Sequence, residues 1–209
     1  MKRLALVSIL FVGLATVASP AAATSIHVQV NTAPLIGNPA GPFFLDFALT
    51  DGSGTLAGPN SVVVSNFNFG GGTAVGAPTL TPGASGSLAT SVTLSDAANG
   101  FVEFFQQFTP GSLLNFDVST TNNVDPVQPD AFAFAILDKN LLNLPTTGLG
   151  DSLVLLNISR VAAFQAFSTT GSASAGVAAS AVLLPEPGTL VLLGSGIVVA
   201  LRRRAVRRA

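Results

Sequence analysis

The chain has no cysteine, tryptophan or tyrosine, one histidine, and a charged fraction of 9% over 209 residues. Each absence excludes something. Without cysteine there is no thiol nucleophile, no disulfide and no Cys-based metal site. With one imidazole, a Ser-His-Asp triad could use only His27, which sits at the extreme start of the expected mature chain. Ordinary soluble domains are roughly 25% charged, so this chain is neither a coiled coil nor a solvated helical protein, and little charge remains for a binding surface. What is present is 48% apolar residues with 21 Gly, 13 Pro and 15 Phe. The strongly apolar segments sit at the two ends, and the middle is rich in Gly, Ser, Thr, Asn and Pro.

Charge follows the same partition. Lys2 and Arg3 begin the chain, residues 24–184 carry nine acids against Lys139 and Arg160, and the tail holds Glu186 with five arginines. An acidic middle repels phosphate backbones. The basic cluster Arg202, Arg203, Arg204, Arg207 and Arg208 abuts an apolar run and is not interleaved with aromatics, so no nucleic-acid partner is expected.

Residues 1–23 have the three parts of a secretory signal peptide: the cationic pair, an apolar stretch from Leu4 to about Val17, and small residues ending in Ala21-Ala22-Ala23. Ala21 and Ala23 mark the expected cleavage site. Export would place the middle in an oxidising compartment, where a cysteine-free fold must be held by packing alone.

At the other end, the uncharged run from Thr189 to Leu201 is preceded by Pro185-Glu186-Pro187-Gly188 and followed by arginines. A helix over 188–201 would rise ~21 Å at ~1.5 Å per residue, against a hydrocarbon core of ~30 Å. Snorkelling arginines and local thinning would close that gap, and the arginines would act as a stop that keeps this end cytoplasmic. Two prolines flanking Glu186 keep the backbone extended and unable to join a ladder, the form in which a processing enzyme admits a peptide. An ordinary C-terminal anchor with a Pro-rich hinge is the plainer alternative.

The order of exported core, Pro-Glu-Pro, short apolar helix and arginine cluster resembles the PEP-CTERM sorting signal of bacterial exported proteins. The resemblance covers residues 185–209 and rests on Pro185, Glu186, Pro187 and Gly188, the run to Leu201 and the arginines that follow. It implies a tail held in the inner membrane of a Gram-negative cell and recognised by exosortase, a membrane-embedded transpeptidase-like enzyme. The chain would then be a substrate, and such cargo is associated with extracellular polysaccharide and biofilm matrix. Stretches of the core, Asn66-Phe-Asn-Phe-Gly-Gly-Gly72, Phe108-Thr-Pro-Gly111 and Pro129-Asp130, look like a group of PEP-CTERM proteins with no known activity, which implies a shared fold and no reaction.

The 161 residues from Thr24 to Leu184 suffice for one domain. Their apolar pattern has period two in Ile26 to Val30, Phe43 to Leu49, Val62 to Phe69 and Phe116 to Ser119. Further strands are expected at 87–94, 101–108, 132–137, 153–158, 161–167 and 177–184. Turn dipeptides such as Asp51-Gly52 and Pro110-Gly111 punctuate them. Nine or ten short strands without helical crossovers predict one all-β, antiparallel β-sandwich of jelly-roll or Greek-key type. Phe101, Phe104, Phe105 and Phe108 also fit a helical spacing, but the bounding turns favour a strand.

Candidate chemistry in the core is sparse. Gly70-Gly71-Gly72 lacks the Lys-Ser/Thr of a phosphate loop and reads as a hairpin loop. His27 reads as an exposed strand residue. The loop carboxylates of Asp51-Gly-Ser-Gly54 and Asp125 to Asp130 could serve Ca²⁺, though aspartate is also a common turn residue. Glu103 with a loop Asp could form a glycosidase pair, but nothing local in sequence supports it. Without Trp or Tyr an aromatic sugar platform is disfavoured. The expectation is therefore a non-enzymatic exported surface or matrix protein, with no catalytic residues, metal or cofactor. The alternatives are a Ca²⁺-dependent carbohydrate-binding module and a hydrolase using Glu103.

Overall fold

The computed structural model describes residues 24–123, 128–158, 163–171 and 174–185. The expected signal peptide with Ala21 and Ala23, the motif residues Glu186, Pro187 and Gly188, the 188–201 segment and Arg202 to Arg208 lie outside the described residues.

Among the described residues thirteen strands form two antiparallel sheets: β1 (Thr24–Asn31), β2 (Phe43–Thr50), β3 (Ser61–Asn68), β4 (Thr73–Ala74), β5 (Thr79–Leu80), β6 (Ala84–Gly86), β7 (Val92–Ser95), β8 (Phe101–Thr109), β9 (Leu113–Thr120), β10 (Asp130–Leu137), β11 (Val154–Ile158), β12 (Ala163–Ala166) and β13 (Ala178–Leu183). The first sheet runs β13-β1-β9-β3-β7-β6; the second runs β12-β11-β10-β2-β8-β4, with β5 also on β8. Consecutive strands from β1 to β10 mostly change sheet, so the chain winds around the core as in a jelly roll. Then β10, β11 and β12 extend the second sheet and β13 returns to close the edge of the first.

Period two explains the layers. In β2, β8 and β9 every second side chain is buried, because successive side chains point to opposite faces of a strand. Phe47 lies at the centre, with the Phe134 ring 5.2 Å away, the Phe116 ring edge-on at 5.4 Å, and Phe104 and Phe132 just beyond. The segment 101–109 is a strand: Phe104 and Phe108 enter the core while Phe101 and Phe105 face outward. This puts Gln106 in the interior, where its amide is satisfied locally. Its Oε1 accepts the Leu88 N–H at 3.0 Å and its Nε2 donates to the Gly76 carbonyl at 2.6 Å.

Gly70 to Gly72 do not turn a hairpin. They carry the chain from β3 in the first sheet to β4 in the second, beside Pro110-Gly111-Ser112, which crosses the other way from β8 to β9. Ser112 donates its N–H to the Gly70 carbonyl at 3.0 Å. A Cβ on Gly72 would land on the Thr109 carbonyl oxygen, and one on Gly111 on that of Phe69. Two backbones in direct contact leave no room for a side chain, which is what these glycines provide.

Candidate functional site

The sorting tail leaves the domain at a defined place. β13 pairs antiparallel with β1 from Ile26 opposite Leu183 to Asn31 opposite Ala178. Leu184 donates its N–H to the Ser25 carbonyl at 2.8 Å. The next residue, Pro185, is exposed and has no N–H to continue the ladder. β1 starts at Thr24, so the point after Ala23 and the start of the Pro-Glu-Pro tripeptide lie side by side at one pole of the sandwich.

A model of the PEP-CTERM protein-sorting motif matches residues 184–208. The chain carries this sorting motif. The PEP-CTERM motif indicates an exported protein sorted to the cell surface, with exosortase as the processing partner. No curated protein and no solved structure matches the chain.

Beneath the same pole a network centred on buried Asn60 ties three loops. Asn60 donates its backbone N–H to Asp96 Oδ1 at 2.7 Å and its side-chain amide to Asp130 Oδ2 at 2.6 Å. Its Oδ1 accepts from the Thr121 hydroxyl at 2.7 Å and the Asn123 N–H at 3.0 Å. Gly52 donates its N–H to Asp130 Oδ1 at 3.0 Å. Asp51 caps its own loop, accepting the N–H groups of Leu56, Ser53 and Gly54. The Leu56 N–H, helped by Ser53 and Gly54, holds the Asp51 carboxyl below the usual range against the opposing effect of burial.

Asp96 is 2% exposed, and its Oδ2 has no donor. Burial, with the neighbouring carboxyls of Asp130 and Asp51, pushes Asp96 up to about 6 against the Asn60 N–H.

The structure thus brings the two loops considered for Ca²⁺ together through Gly52 and Asp130, but the oxygens of Asp51 and Asp130 already accept protein N–H groups. Among the described residues no group of three or more acids or histidines could hold a metal. Asp125 lies outside the described residues.

Glu103 sits on the outer face of the second sheet. Asp46 is opposite Phe105 and Ala48 is opposite Glu103, so Asp46 and Glu103 are diagonal neighbours across β2 and β8, about 7–8 Å between backbones. Burial first and the Glu103 charge second push Asp46 up to about 7. One Asp46 oxygen is inaccessible and unpaired, and the Phe44 and Phe105 rings meet edge-on beside it at 6.2 Å. Sequence reasoning looked for Glu103's partner among loop aspartates and missed Asp46. The available signal was the alternation in Phe43-Phe-Leu-Asp-Phe47, which sends Asp46 to the same outer face as Phe44.

His27 is hydrogen-bonded to Asp117 on the outer face of the first sheet. An ionised aspartate only accepts, so His27 Nδ1–H donates to Asp117 Oδ1 at 2.6 Å, while the Asn66 amide donates to Asp117 Oδ2 at 2.7 Å. Burial raises the Asp117 carboxyl, but Asn66 and His27 together hold it below the usual range. No serine bonds this histidine in the described residues, so the row braces β1, β9 and β3.

Proposed function

We propose that this is a non-enzymatic surface or matrix protein, held before processing in the inner membrane by residues 188–201 with the arginine cluster in the cytoplasm, and released or attached by exosortase acting near Pro-Glu-Pro. In this reading Pro185, Glu186, Pro187 and Gly188 are the recognised segment, and Arg202, Arg203, Arg204, Arg207 and Arg208 are the stop. The observation that carries it is the match over residues 184–208. The exposed Pro185 directly after the last ladder bond supports it, since a folded domain and an extended processing site then meet without overlap. Fractionating cells that have or lack exosortase tests it. Loss of the enzyme is expected to shift the protein into the inner-membrane fraction, and identical distribution in both strains contradicts the proposal.

A second reading, carbohydrate binding without catalysis, is favoured by the outer face of the second sheet. There Phe101 is 51% exposed on the same face as Glu103 and Phe105, offering a ring face and a carboxyl acceptor of the kind a sugar engages. Calorimetry against a glycan panel, with and without Ca²⁺, tests it; no heat at millimolar glycan removes it.

A further inference from the structure

The sorting motif is confined on both sides. Toward the C terminus, Gly188 opens the apolar run, and from Pro185 to Gly188 an extended chain spans only ~10 Å. Toward the N terminus, Leu184 is already bonded to Ser25, and Leu183 and Val182 are in register with Ile26 and His27. Pro185 and Pro187 have no N–H to offer a partner. Between the domain and the apolar run, the main-chain N–H donors with which an enzyme could grip an extended peptide are therefore only those of Glu186 and Gly188, and further donors must come from the end of β13. A two-sheet domain standing ~10 Å from the bilayer would also crowd a membrane-embedded enzyme, and each residue released from β13 adds ~3.3 Å of reach.

β13 is built to be released. None of its residues is buried; Val182 and Leu183 are 58% and 59% exposed, and it carries no charge. Its other edge is tied near its start, where Ala178 bridges Ser168 and Ala179 donates to the Phe167 carbonyl at 2.9 Å. β1 is also paired with β9 along all eight of its residues, a ladder that does not depend on any bond to β13. Detaching 181–184 removes from the core only the partly buried Ala181, while Ala179 stays packed against it.

We infer that the processing enzyme draws the end of β13 off β1 and binds it in extended form, so that the recognised segment runs from Val182 through the Pro-Glu-Pro tripeptide. This rests on the exosortase reading above, and it extends that reading from a tripeptide to a strand of the fold.

The absence of native cysteine makes a lock clean to test. In antiparallel pairs the Cα atoms lie about 4.5–5.5 Å apart, inside the range a disulfide spans. His27→Cys with Val182→Cys fixes the strand three residues before Pro185. Gln29→Cys with Ser180→Cys, the pair two residues further back, leaves 181–184 free. In full-length protein expressed in cells that have exosortase, the oxidised 27/182 lock is expected to slow loss of the tail at least tenfold, with recovery on adding a thiol reductant. The 29/180 lock and its two single variants are expected to be processed at the rate of the parent, the reduced 27/182 protein sets the unlocked rate for the oxidised one, and the oxidised locks are expected to melt no lower than the parent. Processing of the oxidised 27/182 lock at the unlocked rate overturns the inference and leaves the exosortase reading intact. Retention of the tail by the parent protein overturns both.

Discussion

Asp96 and Asp130 are joined through Asn60, whose backbone N–H reaches Asp96 Oδ1 at 2.7 Å and whose side-chain amide reaches Asp130 Oδ2 at 2.6 Å, and Asp96 Oδ2 is left buried without a partner. Asp96 is raised to about 6 and Asp46 to about 7, so both hold a proton more tightly folded than unfolded. Their stabilisation is full below the ordinary carboxylate range and is lost as pH rises through 6 and 7. Asp51 and Asp117 are lowered, and theirs is lost as pH falls below that range. The melting temperature is expected to peak between about pH 4 and 6 and to fall by pH 8. In the Asp46→Asn, Asp96→Asn double variant the alkaline fall should flatten; a thermal scan against pH checks it, and an unchanged slope contradicts the assignment.

Asn60 is the tie among the pole loops. Asn60→Ala strands Asp130 Oδ2, the Thr121 hydroxyl and the Asn123 N–H. The buried Asp130 oxygen alone costs about 1–3 kcal/mol when orphaned and the two part-buried groups add to it, so denaturant unfolding is expected to show a loss of at least ~2 kcal/mol. A loss under 1 kcal/mol would mean water replaces the amide without penalty.

Phe47 touches rings from both sheets. Phe47→Ala is expected to cost about 3–5 kcal/mol, whereas His27→Ala, which removes a half-exposed hydrogen-bonded pair, should cost about 1 kcal/mol or less. The two variants measured side by side separate core packing from the surface row; comparable losses would contradict that ranking.

Much of the architecture was legible because strands report their burial directly. Ile26 to Val30, Phe43 to Leu49 and Phe101 to Phe108 alternate in sequence and alternate in the fold. The expected strand at 87–94 forms only from Val92, since Leu88 is buried by a loop whose N–H goes to Gln106. β4, β5 and β6 are two or three residues long, too short to carry a period. Winding was illegible too: Pro110-Gly111 reads as a turn whether it joins neighbours in a sheet or crosses between sheets, and only the fold shows that it meets Gly70 and Gly72 backbone to backbone.

The site divides along the same line. The sorting motif is contiguous, so sequence alone could find it. Asn60, Asp96 and Asp130 are far apart in the chain, and each alone looks like an ordinary turn residue. Asp46 and Glu103 meet only through the pairing of β2 with β8.

The central claim, that the tail from the Pro-Glu-Pro tripeptide onward is a removable address, is tested most directly by the intact mass of the protein recovered from cells with and without exosortase. The account predicts a species lacking Arg202 to Arg208 when the enzyme is present and one retaining them when it is absent. A protein that keeps all five arginines in both strains would contradict it.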